Sequence, residues 1–138
     1  MIAAAVVVLV ALPYVRGHCT ELTGGEILTV HVDGLAAGSA RLFCYHDQAG
    51  KRLRFLLARG EDGKLRAAFD ACQECYAFGK GYAVHGSSLI CRVCGTRYPI
   101  DHMLEGKASC VPLALPVTQH GAAVQVKVSD VERGRWLF

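Results

Sequence analysis

No run of about twenty apolar residues occurs in this chain, so no segment has the full length of a bilayer-spanning helix. No phosphate-binding glycine loop is present either, since Gly79-Lys80-Gly81 is too short to wrap a nucleotide. Neither a Ser-His-Asp order nor a pair of carboxylates at catalytic spacing emerges, which argues against a stand-alone catalyst. Positive charge is modest. The formal net charge is +3, and the densest basic group, Arg41, Lys51, Arg52 and Arg54, reads as a solvated strand face, so the sequence points to no nucleic-acid partner. Of the histidines near or after the paired cysteines, His85, His102 and His120, none stands at a Cys-x-His or Cys-x-x-His position, which argues against mixed Cys/His zinc signatures there. An even cysteine count is also missing. There are seven, so complete intramolecular disulfide pairing is impossible.

What is present begins with an apolar stretch from Ile2 to Val15. At about 14 residues it is short for a spanning helix and suits the core of a signal peptide or a surviving signal anchor. No Lys or Arg precedes it, while Arg16 and His18 follow at once. Residues 1–18 are therefore expected to form an N-terminal apolar helix that exports or anchors the chain, and residues 19–138 a single extracytoplasmic domain.

From Gly24-Gly25 onward the pattern alternates with period two, the mark of half-buried strands. Strands are expected at Glu26–Asp33, Ala40–His46, Leu53–Arg59 and Leu65–Asp70. The last two are joined through Asp62-Gly63, a strong hairpin signal. A shorter hairpin is expected from Gly81–Val84 to Ser88–Cys91, and a late strand at Ala122–Val128. Pro99, Gly106, Pro112 and Pro116 exclude a long helix between them. Trp136–Phe138 is an apolar end able to pack on the body. The expected class is an all-β sandwich or barrel.

Four of the seven cysteines form two Cys-x-x-Cys pairs, Cys72/Cys75 and Cys91/Cys94, with fifteen residues between them. Two residues between thiolates let both sulfurs of a pair face one metal across a tight knuckle. Two facing knuckles complete a tetrahedron of sulfur. Gly95 after the second pair supplies the backbone freedom such a knuckle uses. Soft thiolates in this arrangement select zinc, iron or an iron–sulfur cluster. Disulfides among the same cysteines remain open in an exported protein. Cys110 is either a fifth ligand or a small buried hydrophobe. Cys44, between Phe43 and Tyr45, reads as core, and Cys19 carries no clear signal. His85, His102 and His120 read as surface groups rather than ligands, and Met103 is a weak copper signal.

Several of these motifs stand together. They run from Arg54-Phe55 and Asp62-Gly63-Lys64 to Ala67-Ala68-Phe69-Asp70-Ala71-Cys72-Gln73-Glu74-Cys75-Tyr76. They continue through Lys80-Gly81-Tyr82, Cys91-Arg92-Val93-Cys94-Gly95 and Tyr98-Pro99 to Cys110-Val111-Pro112-Leu113. In order and spacing this stretch resembles the FtrD-like membrane iron–sulfur protein family. One departure lies at Ala108-Ser109-Cys110-Val111-Pro112, where the family typically has Gly-Gly-Cys-Asn-Pro. A fainter similarity is to Rieske-type ferredoxin domains, with Cys75 and Cys94 standing where that pattern has histidine.

The resemblance implies a small Rieske-like β domain with two knuckle loops. It further implies an iron–sulfur cluster on Cys72, Cys75, Cys91 and Cys94, with Cys110 a possible fifth ligand. It also implies a membrane-anchored electron carrier linked to iron uptake, with a redox partner protein in the membrane or periplasm. The competing expectations are a structural zinc module and a copper- or iron-handling module, since thiolate spacing alone does not separate these metals.

Overall fold

The computed structural model describes residues 19–106 and 110–138, which fold as three small β-sheets around two hydrophobic clusters. The central sheet holds β1 (Thr20–Leu22), β3 (Ser39–His46), β4 (Arg52–Arg59) and β5 (Leu65–Phe69) in the order β1-β3-β4-β5. β1 runs parallel to β3, and the other pairs are antiparallel. A second sheet joins β2 (Ile27–His31), β10 (Ala123–Lys127) and β9 (Thr118–His120) in the order β2-β10-β9. The third joins β6 (Tyr82–His85), β7 (Ser88–Cys91) and β8 (Arg97–Pro99) in sequence order.

The sequence of β4, Arg-Leu-Arg-Phe-Leu-Leu-Ala-Arg, explains why the central sheet carries two cores. Successive side chains leave opposite faces of a strand. Leu53, Phe55 and Leu57 therefore enter one cluster, with Phe43, Phe69, Leu28, Val124 and Val126. Leu56 and Ala58 enter the other, with Ala68, Leu89, Ile100 and Met103. In that first cluster Phe43 and Phe55 stack with ring centroids 5.6 Å apart. A fully buried side chain of this size contributes about 2–3 kcal/mol by leaving water. The second cluster is also where Cys72, Cys91 and Cys110 lie, so one face of the central sheet forms the floor of the cysteine region.

The seven expected strands, the hairpin over Asp62-Gly63 and the shorter one from Gly81–Val84 to Ser88–Cys91 are present with ends shifted by a few residues. Gly63 takes φ +78°, and the Asp62 carboxylate accepts from the Arg66 guanidinium at 2.8 and 3.0 Å. That pairing holds the Asp62 carboxyl well below the usual carboxylate range. The late strand is shorter than expected. At Val128 the chain turns into α1 (Val128–Arg133), which carries Asp130 in its first turn and Arg133 in its last, both favourable to the helix dipole. Of the apolar end, Leu137 is buried and Phe138 packs on the first cluster, while Trp136 is half exposed against Tyr76.

One expectation about the fold is corrected. Among the described residues no helix is long and apolar enough to cross a membrane, and the fold carries no apolar N-terminal helix there. The α-helix that does occur lies at the opposite end, and its 6 residues rise about 9 Å against a hydrocarbon core of about 30 Å. Residues 1–18, on which that expectation rested, lie outside the described residues.

Of the two cysteines outside the cysteine-rich loops, Cys44 is fully buried as expected, but it is not a free thiol. Cys19 and Cys44 form a disulfide that ties the start of β1 to β3. Arg52 donates to the Cys19 sulfur and lies 3.6 Å from Glu21, so charged side chains cover this bond on its outer side.

Candidate metal centre

β5 ends at Phe69 and delivers the chain straight into the first knuckle. There the Cys75 amide donates to the Cys72 sulfur at 3.2 Å, and the Tyr76 amide donates to the Cys72 carbonyl at 3.1 Å. A 3-10 turn over Tyr76–Phe78 closes the loop on Gly79 in the left-handed conformation. The second knuckle leaves the end of β7. Its turn is closed by the Gly95 amide donating to the Cys91 carbonyl at 2.9 Å, with Gly95 at φ +74°, and by the Cys91 amide donating to Thr96 at 3.0 Å. Gly95 therefore plays the part its position suggested.

Two bonds tie the second knuckle to the segment that leaves the first. Arg92 of the second donates its amide to the Gly81 carbonyl at 3.0 Å, and its guanidinium donates to the Tyr82 carbonyl at 3.2 Å. Buried Asp70, just before the first knuckle, accepts from the Tyr82 amide at 2.8 Å and lies 3.4 Å from the Arg54 guanidinium. Burial pushes its carboxyl up to about 6, against the pull of the Tyr82 amide, Arg54 and Arg92. Gly81 is required here on two counts. It takes φ +64°, and a side chain at this position would run into the Asp70 carboxylate.

Of the four cysteines read from the spacing, Cys72, Cys75 and Cys91 meet where the knuckles face each other and Cys110 joins them, while Cys94 stands at the exposed edge of the group. Cys72, Cys75, Cys91 and Cys110 place their sulfurs within 4.8 Å of one another. The Cys110 sulfur lies 2.8 Å from that of Cys72, 3.5 Å from Cys75 and 3.2 Å from Cys94. Cys72, Cys91 and Cys110 are buried, Cys75 is half-buried and Cys94 is exposed. Cys110 is held by its own backbone, whose carbonyl accepts from the Tyr82 hydroxyl at 3.1 Å. Of the two readings open for Cys110, core or ligand, the structure places it among the thiols. Its spacing hid this, because it has no second cysteine beside it.

No histidine joins this group among the described residues. His85, His102 and His120 are exposed, as expected, and His102 pairs with Glu105 at 3.0 Å. Met103 is fully buried in the second cluster. The donor set is thus sulfur only. It fits a soft metal or an iron–sulfur cluster and lacks the imidazoles of a Rieske site.

The thiols differ in their acidity. Hydrogen bonds from the Thr96 hydroxyl and amide, then from Cys110, pull Cys94 down to about 6. Burial pushes Cys75 up to about 12, with the neighbouring Cys91 and Cys72 thiols adding to it and Cys110 opposing. Burial and the surrounding thiols push Cys110 up as well. Cys72 moves down, because the bonds it receives from Cys110 and from the Cys75 amide outweigh its burial. Thiols raised in this way are protonated at neutral pH, and metal ligands must be thiolates, so binding releases protons. The sign follows directly: affinity falls as pH falls. The apparent affinity for added Zn²⁺ is expected to drop about tenfold or more per pH unit between pH 8 and 6, read by competition with a chromophoric chelator. An affinity flat over that interval would contradict the thiol assignment.

The comparisons agree with this geometry. The family described as membrane iron-sulfur containing protein FtrD-like matches residues 35–138. No curated protein matches the chain. Among solved structures, the apo form of the quaternary ammonium Rieske monooxygenase CntA is similar at 14% identity and a TM-score of 0.50, over 72% of this chain and 32% of that one. A second structure of a quaternary ammonium Rieske monooxygenase is similar at 15% identity and a TM-score of 0.48, over 72% and 30% of the two chains. The chain thus spans about a third of the length of these two monooxygenase chains. At this identity the CntA likeness speaks for the fold alone, and it agrees with the Rieske-like β architecture expected from the order of the loops.

Proposed function

The chain belongs to the family of FtrD-like membrane iron–sulfur proteins, and on that premise we propose that it is an extracytoplasmic electron carrier working at a membrane in iron uptake. The observation that carries the reading is the convergence of five thiols, without a histidine, between two knuckles on a Rieske-like fold. In this reading Cys72, Cys75 and Cys91 hold an iron–sulfur cluster together with a sulfur from Cys94 or Cys110. Such a cluster, when bound, supplies reversible one-electron chemistry.

The protein's own residues supply the rest. Leu89, Ile100 and Met103, all fully buried, shield the inner side of the thiols from water. Cys94 faces outward, which leaves a short path from the site to the surface. Beside the first knuckle Phe78 and Trp136 are 66% and 52% exposed, too open for core residues of this size. Arg52 and Arg54 line the same hollow as Trp136, and Lys80 lines an adjoining one with them. An apolar centre with a basic rim suits a redox partner that presents an acidic face. The Cys19–Cys44 disulfide supports an oxidising compartment, hence the extracytoplasmic side. Membrane association and the link to iron uptake rest on the family resemblance.

A redox titration under anaerobic conditions tests the reading. Thiolates in place of neutral imidazoles add negative charge and favour the oxidised state. One reversible one-electron couple is expected, with a midpoint below about −150 mV, the lower end of the Rieske range. A midpoint inside the Rieske range would speak against an all-thiolate cluster, and the absence of any couple would remove the carrier role.

A further inference from the structure

Five sulfurs meet at a centre that has four cysteine positions, whether it holds a single tetrahedral metal or a cluster with four protein thiolates. Three of them are alike in their setting. Cys72, Cys75 and Cys91 sit in the paired knuckles, and each is buried or half-buried. The remaining two differ. Cys94 completes the second knuckle by sequence, yet it is exposed and lies outside the group of sulfurs within 4.8 Å of one another. Its sulfur touches only the Thr96 hydroxyl, at 3.1 Å, and the Cys110 sulfur, at 3.2 Å, among the contacts at hydrogen-bond distance. Cys110 comes from a separate loop, is buried, and contacts the sulfurs of Cys72, Cys75 and Cys94.

Sulfurs around one metal at about 2.3 Å stand roughly 3.8 Å apart, so the Cys110 sulfur lies nearer to three of the others than two ligands of one ion would. Four sulfurs can spread to that spacing around one ion, but the fifth then has no vertex. It stays in contact with the sulfur it could replace.

We infer that Cys94 and Cys110 are alternative ligands for one coordination position, so that the centre carries a built-in exchange of its outer thiolate. The inference rests on the metal-binding reading of this site. The step balances without any external reagent. With a metal bound, its bond to the Cys94 sulfur would break as that to the Cys110 sulfur forms, and the proton leaving the Cys110 thiol would pass to the Cys94 sulfur, 3.2 Å away, or by way of it to the solvent it faces. No electron is transferred. With Cys94 as ligand the centre is open to solvent at its outer corner. With Cys110 as ligand all four sulfurs are buried or half-buried, and Cys94 is freed at the surface to receive or release an incoming soft cation.

Cobalt(II) reports the outcome, because four-thiolate tetrahedral sites give intense visible bands and strong sulfur-to-metal charge transfer. The full chain, stripped of metal and kept anaerobic, is titrated with Co²⁺ as the wild type, Cys94→Ser, Cys110→Ala and the double variant. Near-ultraviolet circular dichroism shows whether each variant remains folded, and Cys94→Ala with Cys110→Ser replaces any variant that does not. The inference expects one Co²⁺ per chain with a four-thiolate spectrum in the wild type and in both single variants. In the double variant it expects loss of that spectrum and at least tenfold weaker binding. Loss of the four-thiolate spectrum in only one of the two single variants would make the other cysteine a bystander and overturn the exchange. A wild type that takes no Co²⁺ would instead overturn the metal-centre reading itself, a result distinguishable from the first.

Discussion

Cys72→Ser is expected to empty the centre and to melt the lobe built around it. Cys72 is 2% exposed, and its sulfur receives the Cys75 amide and touches the Cys110 sulfur. Serine offers a harder, shorter donor that stays protonated at neutral pH, so one of the three buried or half-buried knuckle positions loses its thiolate, while Cys94 and Cys110 serve the outer position alone. Metal binding free energy at such a site is also folding free energy, on the order of 10 kcal/mol for structural thiolate sites. Even if only ~4 kcal/mol of this is lost, the melting temperature should fall by more than about 10 °C. Bound metal should drop below about a tenth of an equivalent. Atomic absorption and a thermal scan on the same sample check both. Full occupancy in Cys72→Ser would sink the assignment of this cysteine.

The disulfide is expected to behave in the opposite way: large for stability, silent for metal. Cys19 and Cys44 are separated by 25 positions and tie the short β1 to the centre of β3. Closing a loop of that length in the unfolded chain is worth about 3 kcal/mol in the chain-entropy account. Cys44→Ala should therefore lower the melting temperature by roughly 10 °C. Its side chain lies away from the thiol cluster, since β3 at this point pairs with Arg54 and Glu21 rather than with either knuckle. Metal content should be unchanged. Loss of metal in Cys44→Ala would mean that the two cysteine systems exchange partners, and the separation drawn between them would fail.

The strands that were legible in the sequence share a physical feature. β3, β4 and β5 each bury side chains on both faces of the central sheet, and β2 and β10 alternate between core and solvent. Their hydrophobic period survives in the sequence because packing demands it. The strands that were missed are short and largely exposed. β1, β8 and β9 have three residues each, and Thr118–His120 of β9 is exposed throughout, so no burial pattern marks it. α1 was hidden because Val128 continues the alternation of β10 before the chain turns.

The site divides along the same line between local and long-range information. Each Cys-x-x-Cys pair is a local device, and its turn can be read from spacing and from Gly95. The contacts of Cys110 with the knuckles, and of Cys19 with Cys44, are made by the fold across 16 to 38 and 25 positions respectively. For Cys110 the signal is its place in the motif Cys110-Val111-Pro112-Leu113, and for the pairing of Cys19 with Cys44 there is none. Hydrogen bonds such as that of the Tyr82 hydroxyl to the Cys110 carbonyl, at 3.1 Å, belong to the same class, because they depend on loops that meet only after the sheets have formed.

The central claim is that the thiol cluster holds an iron–sulfur cluster that carries electrons. It is tested most directly by iron, sulfide and zinc analysis of the full chain purified anaerobically from membranes, with its visible spectrum. The account predicts iron and acid-labile sulfide in comparable amounts, with broad visible absorbance that bleaches on reduction and returns on oxidation. Stoichiometric zinc in a colourless protein would contradict it, leaving the same thiols as a structural centre without a redox role.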